Sequence, residues 1–403
     1  MHVQGIRSLF SFPGYILKSI KFGVDATDVE LKRDGRYADK CVKCATALKV
    51  NRRDLRCVRD LPLGLSRWVH LRFPVIQGYC AVCKRFVTIL PEGLISNAQA
   101  TERLKAYVST LARHMPLSSV GELLGISESN VYRWDREVLE KNLPEPNLDE
   151  LKYLLVDEKS VRRGHNYVTL VMNGENGELL YMAEGKKKKS LKGFFDLLNK
   201  AQKATVKAVA MDRAGSYYQV VREELPKADI VFDKFHLIAN FNAVIDEVRR
   251  IEWHKASKED KAFIKGQRFN LYRPWDTAPT DKQKYSLAIL LAMNENLQKV
   301  YVLKEALREV WNYRHIGYAR RYLEQWLQWC DESALAPVLR FAKGLRKVTD
   351  EVVNYVRHGI TTGPLEGFNN LVSRIIHRAC GVRNIDYLFL KLRQLSLKSA
   401  QQR

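Results

Sequence analysis

Apolar and polar positions change rhythm several times along this chain, and each change marks an element. In residues 101–140, TERLKAYVSTLARHMPLSSVGELLGISESNVYRWDREVLE, apolar side chains recur at helical spacing and Gly125 interrupts them. Two short helices about a tight turn are expected, the pattern of a helix-turn-helix. Ser127 is placed to cap the second helix, and Glu128 suits its positive N-terminal end. Ile126, Val131 and Trp134 then face inward, while Ser129, Asn130 and Arg133 face outward, where a recognition helix meets a major groove. A plain helical hairpin is the alternative for this stretch taken alone.

After the linker NLPEPNLDE the rhythm becomes that of strands. Short apolar runs occupy 153–156, 167–172 and 178–182, and NGENG at 173–177 is a strong turn between the last two. A helical run at 191–203 follows, then a buried strand at 206–211 ending at Asp212, a helix at 217–225 and a strand at 229–232 ending at Asp233. Three antiparallel strands, a helix, a strand, a helix and a strand form a ribonuclease-H-like order, with Asp157 and Asp212 both at strand ends. From about 236 to 360 the chain reads as helical, without strands, and carries Trp253, Trp275, Trp311, Trp326 and Trp329. Tryptophans at such spacing are core residues first and base-stacking surfaces second. Gly363-Pro364 then opens a helix bearing Glu366 and Asn369 about one turn apart.

Composition narrows the partner. The 403 residues are 46% hydrophobic, enough for several folded domains. Lys+Arg number 67 against 45 Asp+Glu, a formal net charge of +22. Such an excess points to a polyanion, nucleic acid ahead of membrane, because each neutralised phosphate releases counterions. The excess is uneven, since residues 32–85 hold 14 Lys/Arg and 4 Asp/Glu. No run approaches the roughly 18 apolar residues of a membrane span. The start, MHVQGIRSLFSFPGYILKSIKFG, lacks a signal-peptide pattern, so a cytoplasmic location is expected.

Seven cysteines include Cys41-x-x-Cys44 and Cys80-x-x-Cys83. The odd total argues against a disulfide framework, whereas two facing CxxC knuckles supply four thiolates to one tetrahedral Zn²⁺, as in a zinc ribbon. Residues 68–73 and 75–79 read as two strands leading into the second knuckle, and Cys57 is left as an idle thiol.

Taken together, these segments resemble the DDE transposases of bacterial insertion sequences, specifically the ISL-three type. The resemblance covers nearly the whole chain: CxxC pairs around a basic segment with RDLPLG, the helix-turn-helix, VDEKSVRRGHNYVTLV, AVAMDRAGSYYQVV, ADIVFDKFHLI and GPLEGFNNLVSRIIHRACGVRN. It implies that Asp157, Asp212 and Glu366 are the catalytic triad, and that Asp233-x-x-His236 is the acid-x-x-histidine motif found after the last core strand of several such families. Relatives often continue the last helix as NNxIKxIKR; here it reads NNLVSRIIHR, and one lysine is missing.

The implied function is binding of the element's terminal inverted repeats followed by metal-dependent strand cleavage and strand transfer. The implied partners are double-stranded DNA, as transposon ends and target, and further copies of the chain in a homodimer or higher oligomer. Nucleoid association follows from DNA binding. The rival readings are a catalytically silent DNA-binding regulator and a ribonuclease-H-like nuclease without transfer. The domain plan is a zinc-binding domain at 1–95, a helix-turn-helix at 96–145, an α/β catalytic core at 146–237 and 359–403, and a helical insertion at 238–358.

The chemistry supports those assignments independently. An apolar run ending in Asp157 and Glu158, in so basic a chain, calls for a positive charge to meet a costly carboxylate. Two Mg²⁺ or Mn²⁺ ions about 3.5–4 Å apart activate the attacking oxygen and stabilise the leaving one, and Mg²⁺ prefers carboxylates plus phosphate oxygens. Glu158 alternates to the other face of the strand and is expected to be structural. The plainer alternatives are an ion pair of Asp157 with Arg162 or Arg163, a helix cap for Asp212, and a first-turn dipole partner for Glu366. Asp233 and His236 are expected to form a local hydrogen-bonded clasp, and Lys186–Lys189 a solvated turn.

Overall fold

The computed structural model describes residues 8–64, 66–94, 99–162, 166–212, 215–277, 280–378 and 384–401. Two compact units emerge, Met1–Pro144 with His377–Lys391, and Glu145–Ile376 with Leu392–Arg403.

The first unit opens with a sheet of β1 (Tyr15–Lys21), β2 (Ala26–Arg33), β3 (Lys49–Asp60), β4 (Trp68–Cys80) and β5 (Arg85–Ile89). The order is β1-β2-β4-β3, with β5 also paired to β4. Strands β2 and β4 run parallel, and the remaining pairs are antiparallel. The two strands expected on either side of Pro74 are one continuous β4. On one edge β4 meets β2 as far as Arg72 and β5 only from Ile76, so Pro74, with no N–H to donate, falls in the gap between partners. Its carbonyl accepts the Tyr15 hydroxyl there, at 3.1 Å. Alternate residues Val69, Leu71 and Phe73 are fully buried and pack with Val29 and Leu31.

Three helices follow, α1 (Glu102–His114), α2 (Leu117–Leu124) and α3 (Glu128–Asn142). The expected pair about Gly125 is α2 and α3, with α1 packed beside them around Val108, Val120, Val131 and Trp134. Gly125 adopts φ 60, and a Cβ there would meet the Trp68 ring at 2.2 Å, so both conformation and space call for glycine. The side chain of Ser127 accepts the Asn130 N–H, capping α3.

The second unit holds β6 (Tyr153–Arg162), β7 (Asn166–Asn173), β8 (Leu179–Glu184), α4 (Lys188–Phe195), α5 (Lys200–Thr205), β9 (Ala208–Met211), α6 (Gly215–Glu224) and β10 (Asp229–Phe232). Its sheet order is β10-β9-β6-β7-β8. Strands β6, β7 and β8 are antiparallel neighbours, and β9 and β10 add in parallel. All four residues of β9 are buried, as expected of a strand covered on both faces.

Two expectations for this unit are corrected. The single helix at 191–203 is two, because Asn199 starts α5 with a capping box closed by Gln202. Asp157 is not at a strand end: β6 runs on to Arg162, held by pairing to β7, and only the ladder with β9 stops at Val156. Arg163 and His165 lie outside the described residues, as does the side chain of Arg162.

A helical region follows, α7 (Lys234–Lys255), α8 (Lys258–Gly266), α9 (Arg268–Tyr272), α10 (Asp281–Met293), α11 (Glu295–Glu309), α12 (Ile316–Glu332), α13 (Ala336–Leu345) and α14 (Thr349–His358). As expected, no strand occurs in it among the described residues. Trp311 and Trp326 are core, donating to the carbonyls of Val352 and Leu303, whereas Trp275 and Trp329 are partly exposed. The last helices are α15 (Gly363–Arg378) and α16 (Ile385–Gln401).

Candidate active site and metal centre

The two CxxC knuckles face one another. Cys41 and Cys44 precede β3, and Cys80 and Cys83 lie at the turn from β4 to β5. The residue after the second cysteine of each pair, Ala45 or Lys84, is left-handed at φ 57 or φ 49, so both knuckles turn alike. The four Sγ atoms lie within 4.8 Å of one another, with Cys41 to Cys83 at 3.9 Å and Cys44 to Cys80 at 3.4 Å. Those separations are far beyond a disulfide bond and close to the edge, about 3.8 Å, of a tetrahedron with metal–sulfur bonds near 2.3 Å. Hydrogen bonding by Thr46 holds the Cys44 thiol down at about 6, and Cys44 in turn pushes Cys83 up to about 12. Without a cation the group ionises only in part, and a divalent ion removes that obstacle. Cys57 is exposed and away from the site, Cys330 is buried in the second unit, and Cys380 lies outside the described residues.

On α3, Ser129 and Arg133 are exposed and Asn130 is half-buried. The Arg133 guanidinium donates to Asn130 Oδ1 at 2.9 Å, so two of the side chains read as DNA contacts already share one surface. The exposed first half of β3 carries Lys49, Arg52 and Arg53.

The acids of the second unit are assembled by strand register. Val156 pairs with Met211, and Met211 pairs with Phe232. One step further along these three parallel strands stand Asp157, Asp212 and Asp233, a row of acids at neighbouring strand positions about 4.8 Å apart. Asp157 Oδ1 accepts the Glu158 N–H at 2.8 Å, and Oδ2 accepts Asn369 Nδ2 at 2.7 Å. Burial pushes the Asp157 carboxyl above its usual range; the charge of Asp212 adds to this, and the Glu158 amide, His236 and Asn369 oppose it. Glu158 takes a different partner, Lys186, with the ammonium 3.5 Å away.

Asp233 is almost completely buried and ties two helices together. Its carboxylate caps α7 by accepting the Phe235 N–H at 2.7 Å, and it also accepts the Thr362 N–H at 3.0 Å and the Thr362 hydroxyl. Thr362 in turn accepts the Glu366 N–H at 2.9 Å, so the start of α15 is held against the end of β10. His236 Nδ1 lies 3.9 Å from Asp233 and 3.8 Å from Glu366. His236 Nδ1 makes no hydrogen bond to Asp233, so the hydrogen-bonded clasp expected of this pair is not formed; the imidazole lies between the carboxylates of Asp233 and Glu366 instead.

Ligand atoms of Asp233, His236 and Glu366 fall within 4.8 Å of one another. Asp157 and Asp212 are not members of that cluster; they join it through the strand register and through Asn369. Thr362 was not legible as a site residue, although a threonine directly ahead of Gly-Pro at a helix start is the available signal.

A sheet edge bearing a row of acids, in a basic chain with a helix-turn-helix, defines an enzyme that handles DNA. The chain belongs to the ISL3 family of DDE transposases: that family's profile, described as Transposase, matches residues 154–392. The helix-turn-helix domain of transposase family ISL3 matches residues 96–139. The chain is 29% identical over 395 residues to the transposase for insertion sequence element IS1001 of Bordetella parapertussis, covering 96% of this chain and 97% of that protein. It is 26% identical over 258 residues to the transposase for insertion sequence element IS1557 of Mycobacterium tuberculosis, covering 58% of this chain and 57% of that protein. The transposase resemblance drawn from the motifs is borne out. Among the described residues, no helix is long and apolar enough to cross a membrane.

Proposed function

We propose that this chain binds the terminal inverted repeats of its insertion sequence and carries out strand cleavage and strand transfer, with Asp157, Asp212 and Glu366 as its catalytic acids. The carrying observation is the register that sets Asp157 beside Asp212, with Asn369 joining Asp157 to the helix of Glu366. The sheet order, three antiparallel strands extended by two parallel ones, supports a ribonuclease-H-like core at 146–237 and 359–403, interrupted by the helical insertion at 238–358.

The residues fit divalent ions, since a row of like charges with a buried, raised carboxyl at Asp157 is relieved by a cation. Asp157, Asp212 and Glu366 would hold Mg²⁺ or Mn²⁺, two ions in the proposed site, which when bound activate the attacking oxygen and stabilise the leaving one. In cleavage an oxygen of water attacks phosphorus, the bond to the 3′ oxygen breaks, and that oxygen leaves as a 3′ hydroxyl. In transfer the 3′ hydroxyl attacks a target phosphodiester and displaces its 3′ oxygen in turn. Glu158, partnered by Lys186, stays out of this chemistry.

DNA recognition is divided. Ser129, Asn130 and Arg133 on α3 read base edges, and the basic strand β3 holds phosphates. One Zn²⁺ on Cys41, Cys44, Cys80 and Cys83 fixes the N-terminal domain at 1–95, ahead of the helix-turn-helix domain at 96–145. Two transposon ends must meet for transfer, so the working form is a homodimer or higher oligomer on DNA, at the nucleoid. The test is cleavage and joining of a labelled terminal repeat with Mg²⁺, using wild type, Asp212→Asn and Glu366→Gln. Full activity of either variant would overturn the catalytic assignment.

A further inference from the structure

Asn369 stands three residues after Glu366, so the two share a face of α15. Its Nδ2 donates to Asp157 Oδ2 at 2.7 Å, and the Glu158 N–H occupies Asp157 Oδ1 at 2.8 Å. With a donor on each oxygen, the carboxylate has one orientation. Asn369 is itself only 8% exposed, and its carbonyl oxygen Oδ1 is buried with no hydrogen-bond partner. Turning the amide over would not relieve that oxygen, because it would then face the carboxylate oxygen of Asp157. A leucine fills similar volume without burying an unpaired acceptor, so packing alone does not account for the amide. His236 Nδ1, which lies between Asp233 and Glu366, is a second buried polar atom without a hydrogen bond. Two unpartnered polar groups thus flank the same acids.

We propose that Asn369 is the positioning residue of the site: its amide sets the orientation of the Asp157 carboxylate and joins that carboxylate to the helix bearing Glu366. Strand β6 and helix α15 come from distant parts of the chain, and between these two carboxylates Asn369 is the hydrogen-bonded link. A carboxylate that ligates a metal is commonly held by such an outer hydrogen bond, and loss of one costs about 10–100-fold in metal affinity. The inference builds on the proposed metal-binding role of Asp157.

The experiment measures Mn²⁺ binding to the full chain by electron paramagnetic resonance, beside thermal melting without metal, for wild type, Asp157→Asn, Asn369→Leu, Asn369→Ser and the exposed neighbour Asn370→Ala. Asn369→Leu and Asn369→Ser should each weaken Mn²⁺ binding at least about tenfold. Asn369→Leu removes an unpaired buried acceptor together with the donor to Asp157 Oδ2, two opposing effects, so its melting should stay close to wild type, and Asn370→Ala should match wild type in both readings. A merely structural role predicts the reverse, lower melting with unchanged affinity. If Asp157→Asn loses Mn²⁺ while both Asn369 variants bind within twofold of wild type, the positioning role is wrong and the proposed metal site stands. If wild type and Asp157→Asn bind Mn²⁺ equally, both proposals are wrong.

Discussion

Asp157 and Asp212 stand side by side, one step beyond the last paired rung of two parallel strands, Val156 with Met211. Two local features, each an acid following an apolar run, are thereby brought together. The electrostatic consequence is already present, since burial and then Asp212 hold the Asp157 carboxyl above its usual range.

Asp157→Asn should lower cleavage of a terminal repeat by more than about two orders of magnitude, the usual loss when a transition-state charge goes uncompensated. Glu158→Gln, on the other face of β6, should keep most of the activity. The same Asp157 substitution should not destabilise the fold at neutral pH. A raised carboxyl contributes stability below its unfolded value and loses it as pH rises through the folded value. In chelator, Asp157→Asn should therefore melt at or above wild type near about pH 8, and the difference should shrink as pH falls towards about 4. Melting curves at the two pH values check this.

Purified protein should carry one Zn²⁺, released by strong chelators and by acid as protons compete for the four thiolates. Cys41→Ser should unfold the N-terminal sheet and weaken binding to the terminal repeat, leaving the second unit folded. Metal analysis and limited proteolysis report the two effects separately, and zinc-free protein with an intact sheet would refute the assignment.

Asp135 is fully buried on the inward face of α3, where it accepts the Ser109 hydroxyl at 2.6 Å, the Tyr387 hydroxyl, and the Lys391 ammonium at 2.9 Å. The first turns of α16 thus complete the packing of the helix-turn-helix. Asp135→Ala removes the buried carboxylate that the Lys391 ammonium meets at 2.9 Å, and should cost about 3–5 kcal/mol. Asp135→Asn, which retains a hydrogen-bond acceptor, should cost less. Denaturant unfolding followed by tryptophan fluorescence at Trp134 measures both.

Arg133→Ala should reduce binding to the terminal repeat by about 1–3 kcal/mol, the worth of one good base contact, while affinity for unrelated duplex changes little. Arg52→Ala or Arg53→Ala should weaken both DNAs alike and reduce the salt dependence. Fluorescence anisotropy at two salt concentrations separates them; equal losses on both DNAs for Arg133→Ala would exclude α3 as the reading helix.

Sequence by itself determined the features that local pattern controls. Cys41-x-x-Cys44 and Cys80-x-x-Cys83 announce a four-thiolate site because the ligand spacing within each knuckle is short-range. Ser127, Gly125 and the helical spacing of Val131 and Trp134 announce the helix-turn-helix, since caps and periodicity act within a few residues. The apolar runs of β9 and β10 and the acids ending them are equally local. Strand β3 was not legible because KVNRRDLRCVRD has neither alternation nor an apolar run; its pairing to β4 makes it a strand.

Tertiary structure alone decided which polar residues are buried and against what. Lys304 is fully buried, donates to the carbonyls of Leu271 and Arg273, and is brought down by burial to about 8. Asn369 meets Asp157 across 212 residues of chain and Lys391 meets Asp135 across 256, separations over which no local pattern carries information. The physical reason is the cost of burying a polar group: it is tolerated only where a partner is delivered, and delivery depends on strand register and helix packing that exist only in the assembled fold.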